Sequence, residues 1–540
     1  MILPKVRTKF NRNNLCAGGY SYAIFALSGA LSALPFVFPQ LFFLSWIALV
    51  PTFYPIFCNQ FNAKKVFRLG FVRNFVFYFI VYSWFVNLYP LSFLGMNKFE
   101  SVLVILTAMT MLPLLHSAEL SFAFLLMSRI RKNRLLVTAS LFTLVEYVQS
   151  LGTFGFSWAR LCISQTSFLP SIQSAELFGG YFVSFLIVLI NALLAMALSN
   201  RKKAKQYVTI AIAIFLLNTI YGTVRLMTIP INQNTIQAGI IQGNIDTKMK
   251  WLNNSAEDIS RKYVALTAKA IEQAKSNGKP LDLIVFPETA IPVIIDAKNE
   301  TLTGDDAAVR TLYQELAYQT GIPFLTGAFY RDGEKEYNSV FLIDPSKTVS
   351  KPYYKRHLVP FGEYLPYRFI VEKLLPFTAQ MNAFGSDLTS GKDSSIFQTD
   401  FGKVGSLVCF DSIFDSLSRE SVLDGAQLLV IVTNDSWYRD SPAVYQHNSH
   451  AVLRAVENRR SVLRAANTGI SSVILPTGKV SDFIPPLKSG YLTASVPLEN
   501  HVTMYTRTGN SIILFCLFFI LFGIDFKAFI TIIKNKKVQL

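Results

Sequence analysis

Long apolar runs and short alternating ones divide this chain into distinct regions. Continuous apolar stretches fall at about 20–36, 38–57, 70–90, 101–128, 135–151, 174–199 and 207–227, with one more near 510–531. Each approaches the roughly 20 residues that an α-helix needs to cross a bilayer, so the pattern predicts about eight spans, about seven of them before the intervening region. From about 233 to 503, charged residues, Gly, Pro and short β-branched runs replace these stretches. Strand-like segments at 235–242, 283–286, 324–326, 340–343, 404–409, 428–432 and 471–475 alternate there with helical segments at 256–276, 307–320 and 442–460. Strands separated by helices predict an α/β domain built as a layered sandwich. The expected divisions are a transmembrane domain over 1–232, a globular domain over 233–503, and a last span with its tail over 504–540. No internal repeat or low-complexity linker is visible, so the globular domain is expected to join its spans tightly.

Composition supports a membrane protein. The 540 residues are 51% hydrophobic and only 16% charged, and include 46 Phe, too apolar a balance for an ordinary soluble chain of this length. The net charge of +17 raises the question of nucleic acid. No helix-turn-helix, zinc-finger or aromatic RNA-binding signature accompanies it, and the basic residues gather beside apolar segments, which argues against a nucleic-acid partner. Lys5, Arg7, Lys9 and Arg12 precede the first span. Lys64, Lys65 and Arg68, then Arg129, Arg131, Lys132 and Arg134, then Arg201, Lys202, Lys203 and Lys205 occupy alternate connections, and Lys534, Lys536 and Lys537 end the chain. The positive-inside rule makes all of these cytoplasmic, both termini included. An odd number of spans then carries the globular domain to the opposite face. The first apolar segment has a basic tail and the small residues Ser32 and Ala33, which imitate a signal peptide; its removal would upset the charge alternation, so it is read as a span.

Three motifs in the globular region carry candidate chemistry: FPETA with Glu288, YYKRHLVPFGEYLP with Lys355 and Glu363, and SLVCFDSIF with Cys409. Of the five cysteines, Cys16, Cys58, Cys162, Cys409 and Cys516, only Cys409 lies in this region. An exported domain ordinarily pairs its cysteines in disulfides, so a single one is either a small buried hydrophobe or a working thiol. A working thiol needs a base or cation to ionise it and a donor for the oxyanion of a tetrahedral intermediate. Glu288, at the end of the apolar run LDLIVFPE, and Lys355 have the chemistry for those roles, although each alone reads equally as a cap carboxylate or a surface lysine.

Taken together, FPET, YYKRHLVPFGEYLP and VCFDSIF, followed by VTNDSW and LRAANTG, resemble the carbon–nitrogen hydrolase (nitrilase) superfamily. The flanking spans, with GALSALPFVFPQLFFLSWIALVP, FGFSWARL, IIQGNIDTKMKW and MYTRTGN, resemble its membrane-bound branch, the apolipoprotein N-acyltransferases, over essentially the whole chain. The resemblance implies a nitrilase-like αββα sandwich on the periplasmic face of a bacterial inner membrane. It also implies a ping-pong acyl transfer from a membrane phospholipid, through a cysteine thioester, to the α-amine of the diacylglyceryl-cysteine that begins an apolipoprotein. By motif it makes Cys409 the nucleophile, Glu288 the general base, Lys355 the oxyanion donor and Glu363 a supporting glutamate that orients the lysine. Trp251 in KMKW matches a tryptophan associated with substrate, and simple packing at the membrane junction explains it equally well. The family commonly has Cys-Tyr-Glu at the nucleophile; here Phe410 and Asp411 follow Cys409. Both are taken as substrate-binding, Asp411 on the acceptor side. The resemblance requires no cofactor and no metal. A membrane-tethered amidase that passes its acyl group to water is the alternative reading.

Other polar residues are expected to be structural. His447 and His450, in VYQHNSH, have a spacing that suits a metal, but no accompanying ligand set is visible, and they are read as helix-surface or packing residues. Glu119, Glu146 and Glu176 lie in or beside apolar segments and require partners, for which Arg160 is the candidate. The aromatic segments 366–377 and 435–445 are candidate mobile loops over the site, partly inserted in the interface.

Overall fold

The computed structural model describes residues 19–523, except 59, 92–94, 131, 247–249, 251–254, 297–304, 347 and 375–386. Its N-terminal half is helical: α1 (Gly19–Val37), α2 (Val50–Phe57), α3 (Ala63–Val81), α4 (Lys98–Arg129), α5 (Arg134–Val148), α6 (Gly180–Ser199) and α7 (Ala204–Thr228). Among the described residues five segments are long and apolar enough to cross a membrane: Tyr20–Val37, Pro39–Phe57, Lys98–Arg129, Gly180–Ser199 and Arg201–Thr228. The expected runs at 70–90 and 135–151 form helices that fall short of that standard. α3 carries Lys64, Lys65, Arg68 and Arg73 and gives way to a 3-10 turn at Ser83–Leu88, while α5 has 15 residues. The run at 38–57 is broken too, with a 3-10 segment at Pro39–Trp46 before α2. Leu106, Met111 and Phe122 on α4 and Leu217, Ile220 and Met227 on α7 are exposed, as lipid-facing side chains should be.

Two sheets follow. The first has the path β13-β1-β2-β4-β5-β6, with β3 paired to β4. Its strands are β1 (Thr235–Gln242), β2 (Leu283–Val285), β3 (Ile294–Asp296), β4 (Phe324–Asp332), β5 (Lys335–Ile343), β6 (Tyr353–Tyr354) and β13 (Gly490–Pro497). The second runs β12-β11-β10-β9-β8-β7, from β7 (Ile396–Thr399), β8 (Gly402–Val408), β9 (Leu428–Thr433), β10 (Ser461–Ala466), β11 (Ser471–Ile474) and β12 (Val480–Ile484). Ile236, Ala238, Ile240 and Leu325 of the first sheet meet Val404, Val430, Leu463 and Val473 of the second in one buried cluster. Strand periodicity explains this: alternate side chains of each strand point into the shared layer. Opposite faces receive helices. α8 (Ser255–Ser276) and α9 (Asp305–Thr320) cover the first sheet through Ile259, Tyr263 and Tyr313, whereas α10 (Asp415–Leu423) and α11 (Pro442–Asn458) cover the second. The result is the expected αββα sandwich. The predicted helix at 442–460 stops at Asn458 because Arg459 turns left-handed, at φ 49°. The strand that follows, β10, hides its period behind a fully buried Arg464.

The second helical layer packs much of its outer face against the membrane region. Leu407, Leu429 and Ile431 from the sheet, Val452, Leu453 and Val456 from α11, and Ile172, Tyr181 and Ile187 from the membrane region belong to one continuous core. α12 (Ile512–Gly523) returns against α5. Polar ties cross this seam. Arg160 pairs with Asp415 at 3.2 Å, and Asp415 also accepts from Tyr505 Oη at 2.8 Å and Asn510 Nδ2 at 2.7 Å. Glu176 accepts from Arg225 at 2.6 Å and from Arg459 at 2.7 Å. Arg160 is therefore engaged by the globular domain, and Glu176 has partners other than the one expected. Glu146 instead accepts the backbone N–H of Leu161 at 2.8 Å.

Removing Asp415 leaves Arg160 a buried cation without its carboxylate, and takes a second, 3.9 Å neighbour from Arg454, which keeps Glu457 at 3.1 Å. Loss of one partner of a buried pair costs about 3–5 kcal/mol. Asp415→Ala should therefore lower the melting temperature in detergent by on the order of 5–10 °C. Glu257→Ala, which breaks the exposed pair with Arg261, should leave it unchanged. Equal melting temperatures for both variants would show that this seam does not hold the two halves together.

Candidate active site

The residues singled out by motif converge at one end of the sandwich. Glu288 follows β2 by three positions, Lys355 directly follows β6, and Cys409 directly follows β8. The first two thus come from one sheet and the thiol from the other. All three are buried: Glu288 is 6% exposed, Lys355 1% and Cys409 7%. The Lys355 ammonium lies 2.9 Å from Glu363 Oε1 and 3.7 Å from Glu288 Oε1. Asn338, on β5, donates its amide to both carboxylates, at 2.6 Å to Glu288 and 3.0 Å to Glu363, and its carbonyl accepts the Lys355 N–H at 2.8 Å. The second oxygen of Glu363 accepts the Val359 N–H at 2.8 Å.

Electrostatics follows from this packing. Burial disfavours the ammonium of Lys355, but Glu363 and then Glu288 outweigh it and raise its pKa, so the lysine stays charged. The thiol of Cys409 is pushed up by burial and by Glu288, with Lys355 opposing, so it rests protonated and needs a base to become a nucleophile. Both key turns are conformationally forced. Cys409 has φ 48° and Thr289, just after the carboxylate, φ 50°, in the left-handed region that L-residues rarely occupy. The Glu288–Thr289 turn lies against Gly327, where an added Cβ would stand 2.6 Å from Thr289 N. Lys250 supports the same turn: its buried ammonium donates to Glu288 O at 3.3 Å and to Thr289 Oγ1 at 2.5 Å. Burial brings the Lys250 pKa down to about 7 against the pull of Glu288.

Asp411 stands elsewhere than expected. It is fully buried behind the nucleophile, accepting from Tyr353 Oη at 2.9 Å and from the N–H groups of His357 at 2.8 Å, Arg356 at 3.2 Å and Val408 at 3.2 Å. It ties the Cys409 turn to the strand carrying Lys355. Burial raises its pKa to about 6, against Lys355. Phe410 is also interior, its ring 5.8 Å from Phe156 and 5.2 Å from Phe414, so it packs the seam with the membrane region. Trp251 lies outside the described residues. Segment 435–445 is anchored at its start, where Asp435 is fully buried, whereas Tyr367 and Phe369, in the described part of 366–377, are exposed.

The sequence reading missed a second layer. His447, expected on a helix surface or in packing, is fully buried, as is His450. Its Nδ1 lies 2.9 Å from Asp435 Oδ1 and its Nε2 3.1 Å from Cys409 O and 3.0 Å from Ser412 Oγ. Arg464 Nη2 is 2.7 Å from Asp435 Oδ2. Cys409, Asp435 and His447 thereby place a sulfur, an oxygen and a nitrogen within 4.8 Å of one another. Those atoms do not fit a metal ion well. Both imidazole nitrogens and both Asp435 oxygens already have partners, and a guanidinium stands beside them. The strings VTNDSW, VYQHNSH and LRAANTG held these residues, but nothing in their spacing announced that they meet.

Comparison with known proteins agrees with the geometry. The carbon-nitrogen hydrolase family model matches residues 237–504, and the model of the apolipoprotein N-acyltransferase N-terminal domain matches 28–193. An apolipoprotein N-acyltransferase of Geobacter metallireducens is 34% identical over 498 residues, covering 91% of this chain and 92% of its own length. Apolipoprotein N-acyltransferase 1 of Treponema denticola is 27% identical, covering 92% and 93%. Among solved structures, an amidase from Nesterenkonia sp. AN1 matches at 17% identity and TM-score 0.38, covering 52% of this chain and 98% of its own. The fold and its helical half define a membrane protein with a carbon–nitrogen hydrolase domain. Within that class, the chain belongs to the apolipoprotein N-acyltransferase family.

Because Asp411 supports the nucleophile from behind, Asp411→Ala should slow thioester formation and transfer to an amine together, each by at least about tenfold, since four donors lose a buried acceptor. Single-turnover mass spectrometry of both half-reactions checks this. Normal acylation with accumulating thioester would return Asp411 to the acceptor side.

Proposed function

We propose that this enzyme transfers a fatty acyl group from a membrane phospholipid to the α-amine of an apolipoprotein's N-terminal diacylglyceryl-cysteine. The observation that carries the reading is the buried set of thiol, ammonium and paired carboxylates at a seam shared with apolar helices. Glu288 takes the thiol proton as Cys409 Sγ attacks the ester carbonyl, and the oxyanion forms beside the Lys355 ammonium. The C–O bond breaks, Glu288 returns the proton to the departing lysophospholipid oxygen, and a thioester remains. The acceptor amine then attacks, Glu288 takes its proton, and as the C–S bond breaks Glu288 passes that proton to the departing sulfur, giving the amide and the thiol. Glu363 and Asn338 keep the ammonium in place. Residues 1–232 and 504–540 serve as membrane domain and final span around a catalytic domain at 233–503. Basic connections such as 201–205 support a catalytic domain on the periplasmic face of the inner membrane, with both termini cytoplasmic.

Cys409→Ala should form no acyl-enzyme, while Lys355→Ala and Glu288→Ala should retain the thiol and acylate at least about a hundredfold more slowly. Intact-protein mass spectrometry with phospholipid, then with a diacylated lipopeptide, reads both steps. N-acylated lipopeptide from the Cys409→Ala protein would end the thioester mechanism. Loss of the acyl group to water with lipopeptide present would make the enzyme a hydrolase.

In sealed spheroplasts, an impermeant amine reagent should leave Lys202 unlabelled. Labelling there would invert the orientation.

A further inference from the structure

The proposed reaction uses the side chain of Cys409, but the structure invests as heavily in its backbone. The carbonyl of Cys409 faces two side-chain groups: Ser412 Oγ donates to it at 2.7 Å, and His447 Nε2 lies 3.1 Å away. Behind the imidazole stands a chain of fixed partners. Asp435 Oδ1 lies 2.9 Å from His447 Nδ1 and accepts from the Thr433 hydroxyl at 2.9 Å, while its Oδ2 accepts from Arg464 Nη2 at 2.7 Å; Arg464 Nη2 also stands 3.0 Å from Nδ1, so Nδ1 can accept from the guanidinium and leave Nε2 as the donor toward Cys409. Arg464 also donates to the Ile470 carbonyl. Cys409, Ser412, Asp435, His447 and Arg464 come from four elements: the turn after β8, the turn after β9, helix α11 and strand β10. Asp435, His447, Ser412 and Arg464 are all fully buried. The backbone makes room for them, since a Cβ on Gly469 would fall 2.1 Å from Asp435 Oδ2.

Ser412, His447 and Asp435 have the spacing of a hydrolytic Ser-His-Asp relay. Being fully enclosed, this serine meets no substrate, and its hydroxyl is committed to the Cys409 carbonyl. A buried Asp–Arg pair is also a poor means of holding a helix to a sheet, because well-packed apolar residues would stabilise the contact at least as well. What such a pair does better than apolar packing is fix the direction of a hydrogen bond. Here that bond ends on the one residue whose φ, 48°, is held in the left-handed region at the nucleophile.

We infer that His447, held by Asp435 and Arg464 and assisted by Ser412, is a positioning residue for acyl transfer that clamps the carbonyl of Cys409 and so aims its thiol at the carbonyl to be attacked. The inference rests on the thioester reading above. It makes a distinction that general structural support does not. Acylation needs Sγ aligned with both Glu288 and the ammonium of Lys355 as the oxyanion develops, whereas alkylation by a small haloacetamide displaces iodide and forms no oxyanion. Disturbing the clamp should therefore separate the two reactions.

The test compares, in the full-length detergent-purified protein, the rate of iodoacetamide labelling of the Cys409 peptide with the single-turnover rate of thioester formation from phosphatidylethanolamine. His447→Leu should slow thioester formation by roughly ten- to a hundredfold, the scale on which misplacing an oxyanion contact acts. Alkylation should change by less than about threefold, since no oxyanion is formed in that reaction. His447→Gln, which can present an amide donor near the position of Nε2, should recover a substantial part of the loss. Ser412→Ala, too small a change to threaten folding, should show the same separation more weakly. Equal falls in both rates, accompanied by a lower melting temperature, would make the cluster structural only. An unchanged thioester rate in His447→Leu would also overturn the inference. A wild-type protein that alkylates at Cys409 but never carries an acyl group there would instead overturn the thioester reading on which it rests.

Discussion

The charged ammonium of Lys355, enclosed to 1% exposure, is the constraint around which the site is arranged. A cation so far from water must be matched by carboxylates whose remaining lone pairs are also satisfied. Glu363 and Glu288 provide the charge, and Asn338 and the Val359 N–H hold them. A thiolate formed beside these carboxylates would add negative charge in a dry place, which is why the thiol rests protonated. The proposed step avoids that state. As Glu288 takes the proton, the negative charge leaves it and reappears on the oxyanion beside Lys355, so the total buried charge is unchanged. Little reorganisation is then needed when the reaction occurs.

The same requirement propagates outward. The strand ends that carry Glu288, Lys355 and Cys409 are each held by neighbouring side chains: Asp411 joins the Cys409 turn to the Lys355 strand, Lys250 holds the turn of Glu288, and Asn338 spans the two carboxylates. α11 serves as the joint between this assembly and the membrane helices. It is buried on both sides, and its polar residues Gln446, His447, Arg454 and Glu457 all find work in the interior. Trp158 donates to Gln446 at 2.5 Å, and the Gly180 N–H donates to Glu457 at 2.9 Å, so membrane helices and catalytic turn share one helix.

That joint explains what the sequence made legible. Hydrophobic period reveals an element when one face is wet and the other dry. α8 follows that rule, and its expected start lies within a residue of the observed one; β1, buried on both faces over most of its length, was legible from its apolar β-branched run instead, and its expected limits match those observed. α11 does not follow the rule: wrapped in protein over most of its length, it carries polar residues on interior faces, so His447 and His450 read only as helix-surface or packing residues. β10, with Arg464 buried at its middle, loses its alternation for the same reason. In the membrane half, apolar composition marked where helices lie but not where they bend or break, because a run such as 38–57 stays apolar across its 3-10 segment. At the site, residues with unusual chemistry in recognisable strings were visible individually. The burial of Asp411 was not legible, because a carboxylate two positions after a thiol has no spacing that tells solvent from interior; the four donors gathered around it appear only in the fold.

The placement of the aromatic residues has a chemical consequence for a thioester. Phe410 meets Phe156, Phe156 stacks on Trp158 at 5.6 Å, and Trp158 lies near Trp84 at 5.2 Å and Tyr438 at 5.8 Å. Tyr438 is close enough to Cys409 for the two groups to influence each other's charge. One wall beside the thiol is thus a continuous aromatic layer that runs into the membrane helices. Water gains few hydrogen bonds against such a wall, while acyl chains lose none. On the proposed reaction, an acyl-enzyme formed beside this layer would face an apolar surface on which water gains little, which favours attack by an amine held at the membrane over attack by water.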